Sequence, residues 1–534
     1  MDEFIFGTLA NDALKVIYER AWGSGLRHAH RCMPLDAQPG ESVELTVTSG
    51  PALAVTDVAV YYTTDGATPQ GSRGVATVGT AVRLTAIGRR WDTINNGYAT
   101  VWTGVLPGQA AGTVVRYVIS GWAEGGDEVW TEWPDLLATT EAAARVFFEQ
   151  KTTPDYVAHS DSNGAKVFEL RFDTWQAPAW ARVAVMYHIF VDRFAPGPGR
   201  AWTQMEDLGT WMGGTLWGVA EKLDYIAGLG VNGIWLSPVY PGPTYHGYDV
   251  TDYRAVDERY GGAAALRAVV DGAHARGLRV ILDFVANHCS NQHPLFASAR
   301  DVPGSPYREW FNFDDSPVGY RGFFGVATMP QFNLRNAEAA AWMIENGVYW
   351  LREFGVDGLR LDYASGPGPD FWGGFRAACK AVNPECFLFG EIVETPEVLR
   401  AYTGRLDGAL DFYTAELLRG MVTGQVAAEI ARTQIAAHRA HLDGLLLPAF
   451  VDNHDMNRLL QVTGNDMAKV REGLRALLAL DGPVIVFYGT EVGLRQRDDT
   501  RQIGLEASRE PMPWETMVVD AEIVEMIRGR TNRG

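Results

Sequence analysis

The sequence predicts an α/β protein: a (β/α)8 TIM barrel carrying an inserted subdomain after strand three, with a β-sandwich ahead of it. Three observations predict it. From about residue 181, short apolar strand-like runs alternate eight times with helical patterns. Before that, residues 39–150 hold only β-type runs separated by turn clusters. One connection in the alternating region, from Cys289 to Asn336, is too long for a simple loop.

In chain order, residues 1–38 read as a helical arm, because "NDALKVIYERAW" sets apolar residues near helical spacing after an Asn cap. Residues 39–150 carry "ESVELTVT", "DVAVYYTT", "TAVRLTAI", "YATVWTGVL" and "VVRYVISGW". These β-branched and aromatic runs are divided by "DGATPQGSRG" and "PGQAAG", the pattern of a sandwich. Residues 151–180 read as a linker. Residues 181–534 form the barrel, with strands expected at 183–191, 232–238, 278–286, 357–362, 386–393, 408–413, 446–455 and 483–489. Helical patterns such as "EAAAWMIENGVYWLREFG" lie between them, and residues 289–336 form the inserted subdomain. After residue 516 only enough chain for one helix remains, so no C-terminal β-sandwich is expected.

Composition narrows the function. The net charge of −19 argues against nucleic acid and against anionic membranes, and it favours neutral partners. Apolar residues never run unbroken for about 18 positions, so no membrane span is expected. Seventeen Trp, 20 Tyr and 23 Phe suit both a large core and the stacking of flat ligands such as sugars. The four cysteines form no CxxC pair, and the acidic N-terminus lacks the basic start of a signal peptide. The reading is a reduced, cytoplasmic protein.

The stretch "GLRLDYA" poses the functional question. On a strand, Arg360 and Asp362 share one face, opposite Leu359, Leu361 and Tyr363. That pair is either a buried ion pair or the floor of an active site. The surrounding strands decide for the second. Asp283, Asn287 and His288 close strand three, Glu391 closes strand five, and His454 and Asp455 close strand seven. Carboxylates from three strands thus meet at the C-terminal rim, where such barrels do chemistry. Cleaving a glycosidic bond with retention needs one carboxylate nucleophile and one carboxyl acid/base about 5–5.5 Å apart. Asp362 fits the nucleophile, kept ionised by Arg360, and Glu391 in apolar "LFGEIV" fits the protonated acid. Asp455 fits stabilisation of an oxocarbenium-like transition state, with His288 and His454 bonding hydroxyls. Cys289 reads as a small buried residue. Trp372, in "GPGPDFWGG", either packs its helix or lines a sugar subsite.

The stretches "DFVANH", "GLRLDYA", "GEIVE" and "FVDNHD" resemble, in order, four motifs of the α-amylase family of glycoside hydrolases. "GVNGIWLSPVY", "HGYDVTDY", "MPQFNL", "GTEVG" and "REPMPWE" add to the resemblance, which covers roughly residues 183–515. It implies Asp362 as nucleophile, Glu391 as acid/base and Asp455 as stabiliser. It implies Arg360, His288, His454 and Asp249 around the sugar, with Tyr248 stacking beneath it. Asp283, like Asp249, also suits ordering the site through hydrogen bonds. Chemistry would need no cofactor; a structural calcium at Asn287 is the one metal the resemblance allows. The N-terminal sandwich resembles that of the neopullulanase, cyclomaltodextrinase and maltogenic amylase branch, but Val393 and Glu394 replace the aromatic and His expected there. The implied substrates are malto-oligosaccharides, cyclodextrins or starch. The alternatives are a transglycosylase of branching or trehalose-forming type and a non-catalytic carbohydrate-binding scaffold. A homodimer through the N-terminal domain stays open.

Overall fold

The computed structural model describes residues 16, 19, 20, 23–132, 167–203, 207–316 and 318–532. Residues 1–15, 17, 18, 21 and 22 of the expected helical arm 1–38 and residues 151–166 of the expected linker lie outside the described residues, and within that arm Leu26–Arg27 and Cys32–Met33 are strands paired to Val43–Ser49 rather than helix.

The N-terminal β-runs form two antiparallel sheets. One is ordered Leu26–Arg27, Val43–Ser49, Gly97–Leu106, Thr85–Asp92, and the other Val129–Trp130, Thr113–Trp122, Asp57–Thr63, Thr80–Arg83. The alternation in "VELTV" explains the packing: Val43, Leu45 and Val47 are fully buried, whereas Glu44 is exposed. The run "TAVRLTAI" divides at buried Leu84, and its two halves belong to different sheets. A second difference lies in the linker. Phe168–Phe172 is a strand, pairing from Thr113↔Phe172 to Tyr117↔Phe168. "FELRF" alternates apolar and polar residues, and Phe168, Leu170 and Phe172 complete the sandwich core. The Glu169 amide donates to Asp370 (2.9 Å) at the start of helix Pro369–Val382, tying the sandwich to the barrel.

The barrel follows the expected order. Parallel strands Val185–Ile189, Gly233–Leu236, Arg279–Val285, Gly358–Asp362, Phe387–Gly390 and Gly408–Ala409 pair in sequence, and Val484–Phe487 pairs with the first. All but Arg279 are buried, as continuous apolar runs covered on both faces should be. The seventh position is irregular. Residues 446–450 connect through the isolated parallel bridges Gly408↔Leu446 and Ala449↔Val484. Pro448 lacks an N–H for the ladder, yet its carbonyl accepts from Asp411 (3.0 Å), so the barrel still closes. Helix Ala337–Phe354 starts at Asn336, whose Oδ1 accepts from the amides of Glu338 and Ala339, and ends at Gly355 with φ 67°.

The long excursion holds helix Pro294–Asp301 and then folds back on the end of the third barrel strand through the bridges Phe311↔Phe332, Gly322↔Pro330 and His288↔Gln331. The last helix is Ala521–Thr531. No helix among the described residues is long and apolar enough to cross a membrane.

Candidate active site

The fourth and fifth barrel strands bring the central carboxylates together. Leu361 and Gly390 are paired, so Asp362 and Glu391, one residue further on, face each other across adjacent strands. The Glu391 amide donates to the Leu361 carbonyl (2.9 Å), which continues the ladder to this point. Neighbouring strands run about 4.8 Å apart. Arg360 lies beneath, with Nη1 2.9 Å from Asp362 Oδ1 and Nη2 2.7 Å from Glu391 Oε2. The same Nη1 contacts both oxygens of Asp283, at 2.8 and 3.0 Å. Asp283 sits directly opposite Arg360 in the third-to-fourth strand register. One guanidinium therefore serves three buried carboxylates.

The remaining predicted residues close around this centre. Tyr248 is half-buried, and its hydroxyl lies 2.6 Å from His454 Nε2 and donates to Asp283 (3.1 Å). Its ring stacks parallel to His454, 5.5 Å between centroids. His454 Nε2 is also 3.1 Å from Asp455. Asp455 is the most open of the set, with its side chain 20 % exposed. His288 is buried; its Nδ1 lies 3.3 Å from Asn287 Nδ2, while its Nε2 has no hydrogen-bond partner among the described residues.

Two predicted residues turn to other partners. Asp249 accepts from Thr244 (2.6 Å), within the loop that carries Tyr248, and burial raises its carboxyl to about 6. Asn287 Oδ1 accepts from Gln331 Nε2 (3.1 Å). Among the described residues no group of three or more Asp, Glu, His or Cys side chains could hold a metal ion. Calcium takes six to eight oxygens, and the side-chain oxygen that Asn287 would lend is bonded to Gln331 here.

Burial dominates the electrostatics. It lifts Asp362 to about 7, against the pull of Arg360, with Glu391 and Asp455 adding to the rise. Burial likewise lifts Asp283 to about 7 and raises Glu391, both opposed by Arg360. Burial thus works against the expected hold of Arg360 on the Asp362 charge, because one cation is shared by three carboxylates. Burial also pushes Asp455 upward, but His454, Arg509 and Arg360 outweigh it and hold its carboxyl below the usual range. Burial keeps His288 neutral, with its pKa lowered to about 3.

Sequence reasoning missed Arg509, which donates to Asp455 (2.8 Å), to the His454 carbonyl (2.8 Å) and to the Tyr245 hydroxyl (2.8 Å). It stands first in the quoted "REPMPWE", so its position was visible but its partner was not. Trp235 was also missed; its Nε1 donates to Asp283 (3.2 Å), and its ring stacks 3.6 Å from that of His188. Trp372 packs its helix: it is fully buried and donates to the Ala364 carbonyl (2.7 Å). Cys289 is buried, and burial raises its thiol well above the ordinary range, consistent with a small core residue.

The arrangement sets two opposed carboxyls and a separately ionised carboxylate around one aromatic ring. The family described as alpha amylase, catalytic domain, matches residues 188–521. Alpha-amylase 2 of Dictyoglomus thermophilum is 36% identical over 406 residues, covering 74% of this chain and 72% of that protein. An intracellular maltogenic amylase of Bacillus subtilis is 32% identical over 375 residues, covering 67% of this chain and 62% of its own length. This chain thus spans under two thirds of that relative. Among solved structures, a cyclic alpha-maltosyl-(1→6)-maltose hydrolase from Arthrobacter globiformis matches with TM-score 0.61 and 28% identity, covering 67% of this chain and 83% of that one. The type III pullulan hydrolase from Thermococcus kodakarensis has the same fold over 94% of this chain and 86% of its own, with TM-score 0.62 and 22% identity.

Proposed function

Because the chain belongs to the alpha-amylase family of glycoside hydrolases, we propose that it cleaves α-1,4-glucosidic bonds of malto-oligosaccharides or cyclodextrins with retention of configuration. The observation that carries this is the opposition of Asp362 and Glu391 on adjacent hydrogen-bonded strands. Strand backbones run about 4.8 Å apart and both carboxyls reach the one Arg360 guanidinium, which favours the close pair of a retaining site over the roughly 6.5–9.5 Å of an inverting one.

In the first step Asp362 attacks the anomeric carbon and forms the glycosyl ester. Glu391 gives its proton to the departing oxygen. In the second step Glu391 takes a proton from water, which releases the sugar and restores Asp362. The raised Glu391 pKa suits the acid role, and Asp362 acts in its ionised form. Asp455, held anionic by His454 and Arg509, faces the positive charge that develops on the ring. His288 Nε2 is placed to bond a sugar hydroxyl, and the Tyr248 ring offers the stacking face.

The substrate range follows the names of the relatives, which include cyclomaltodextrinases and maltogenic amylases. The intracellular maltogenic amylase supports a cytoplasmic setting. A homodimer through the sandwich completes the reading, and light scattering at micromolar concentration tests it.

The deciding experiment incubates the protein with maltoheptaose, β-cyclodextrin, pullulan and starch, and follows the first products by chromatography and proton NMR. The expected result is α-anomeric malto-oligosaccharides, released faster from cyclodextrin and maltoheptaose than from starch. Initial β-anomers would reject retention, and no cleavage of any of the four would reject the reading altogether.

A further inference from the structure

A turn of the sandwich reaches the helices that follow both central carboxylates. It is Arg27–Arg31, between the short strands Leu26–Arg27 and Cys32–Met33. Ala29 (φ 55°) and His30 (φ 50°) are both left-handed, a conformation that residues other than glycine rarely adopt. Such strain persists where the surroundings enforce it. His28 helps to enforce it. Burial lowers its pKa to about 3, so it is neutral; its Nδ1 donates to the Thr46 carbonyl (2.9 Å), and its Nε2 accepts from the Tyr117 hydroxyl (2.8 Å). The Arg31 amide donates to the His28 carbonyl (3.1 Å), and the Thr46 amide to the Arg31 carbonyl (2.9 Å). Held this way, the turn meets the barrel. His30 is buried between Arg405, whose Nη2 donates to its Nδ1 (3.0 Å), and Asp370, 3.3 Å from its Nε2. Asp370 stands at the start of helix Pro369–Val382, which follows Asp362. Arg405 also donates to the Ala401 carbonyl (3.1 Å) at the end of helix Pro396–Arg400, which follows Glu391. Arg27 Nη2 and Arg31 Nη2 each donate to one oxygen of Glu397 (3.0 Å each), in the first turn of that same helix.

We propose that this turn is a positioning element of the active site, and that through Glu397 it holds the loop carrying Glu391 in the place from which that residue protonates the leaving oxygen. The inference rests on the proposed glycosidase activity. Of the two central carboxyls, Glu391 depends more on its loop. Asp362 lies within its strand, paired to Val285, whereas Glu391 stands one residue past the end of strand Phe387–Gly390. The connection onward to Glu397 is short and stiff: residues 392–394 are buried, and Pro396, with its fixed φ, opens the helix. A shift of Glu397 therefore passes back to Glu391. Burial raises the Glu397 carboxyl, but Arg31 and Arg27 outweigh it and hold it below its ordinary value, so all three partners are charged. The sandwich thus serves the proton donor from within the same chain, without touching the sugar.

Leaving groups separate this role from a general loss of structure. A departing sugar needs the Glu391 proton, whereas fluoride leaves α-maltosyl fluoride without it. Glu397→Gln is expected to lower kcat/KM on maltoheptaose about five- to tenfold, as much as two partly exposed ion pairs can hold in place. On α-maltosyl fluoride kcat/KM should stay near wild type, and the melting temperature should barely move. Arg31→Gln removes one of the two bonds from the sandwich side and should show the same split at smaller size. Arg83→Gln breaks an exposed pair with Asp57 elsewhere in the sandwich (3.1 Å) and should change neither rate. An equal loss on both substrates for Glu397→Gln, or no loss on either, overturns the positioning role. Should wild type turn over neither substrate, the glycosidase reading fails instead.

Discussion

Two buried charge clusters in this barrel are built in opposite senses. At the C-terminal rim, one guanidinium, Arg360, is shared among Asp283, Asp362 and Glu391. Near the other end, Asp407 bonds two cations, Arg376 Nε at 3.0 Å and Lys380 Nζ at 3.0 Å, with the Leu388 amide donating at 3.0 Å, and Arg376 Nη1 also pairs with Asp173 at 3.8 Å. Arg376 and Lys380 direct their remaining donors to the carbonyls of Trp175, Gly404, Gln176 and Cys386. The lower cluster is saturated and holds the strand ends to helix Pro369–Val382. The upper one sets three carboxyls around one cation, and burial, opposed only in part by Arg360, pushes them toward protonation. A structural ion cluster balances its charges; a catalytic one leaves an imbalance that chemistry can use.

The largest expected effect separates these roles. Asp362→Asn should lower kcat/KM on maltoheptaose by on the order of 10⁴-fold or more, since an amide cannot form the glycosyl ester. Asp407→Asn should instead cost about 3–5 kcal/mol in denaturant unfolding, because it takes the carboxylate from buried Lys380 and leaves Arg376 with only the more distant Asp173. Its activity per folded molecule should match wild type. If the Asp407 variant lost activity while remaining stable, the division between a structural and a catalytic cluster would collapse.

The pH profile sharpens the same contrast. In the proposed mechanism, productive enzyme has Asp362 ionised and Glu391 protonated. Asp362 rises to about 7 in the folded protein, so the acid limb of kcat/KM should fall near neutral pH rather than near 4. The alkaline limb belongs to the loss of the Glu391 proton, since Arg360 binds both carboxyls and their titrations interact. Below neutrality the rate should drop up to about tenfold per pH unit. An acid limb near 4 would mean that Arg360 outweighs burial after all.

How much of this was legible in the sequence varies by kind of residue. Strand order and the rim positions of Asp362, Glu391 and Asp455 were readable, because a carboxylate that closes a continuous apolar run belongs where the strand leaves the core. The strand Phe168–Phe172 is written in the alternation of "FELRF", but it adjoins a polar stretch whose composition suggests a linker. Arg509 and Trp235 were unreadable as partners of Asp455 and Asp283, because those contacts join positions 54 and 48 residues apart. The left-handed conformations of Phe324 and Tyr363 could not be anticipated either, since bulky aromatic residues normally argue against them. The balance of charge between the two clusters was hidden for the same reason: "GLRLD" and "GRLDGA" both set Arg and Asp two residues apart, and only tertiary partners tell them apart.

The smallest expected effect follows from that imbalance and concerns stability. Asp362 ordinarily titrates at 3.8 and in the folded protein at about 7. Below 3.8 the carboxyl is protonated in both states, and burying it carries no ionic cost. As pH rises from there to about 7, the unfolded chain releases its proton while the folded one keeps it, so stability falls. Above 7 the full cost is present. At about 1.4 kcal/mol per pH unit this amounts to a few kcal/mol. Asp362→Asn stays neutral throughout and avoids the cost. Its melting temperature should therefore exceed that of wild type by a margin that widens between about pH 5 and pH 8. For Asp407→Asn the difference should be negative at both values, because a carboxylate between two cations stabilises the fold it sits in. A margin for Asp362→Asn that does not change with pH, or that turns negative at the alkaline end, would show that Arg360 neutralises Asp362 as fully as Arg376 and Lys380 neutralise Asp407. The rim cluster would then be as balanced as the structural one.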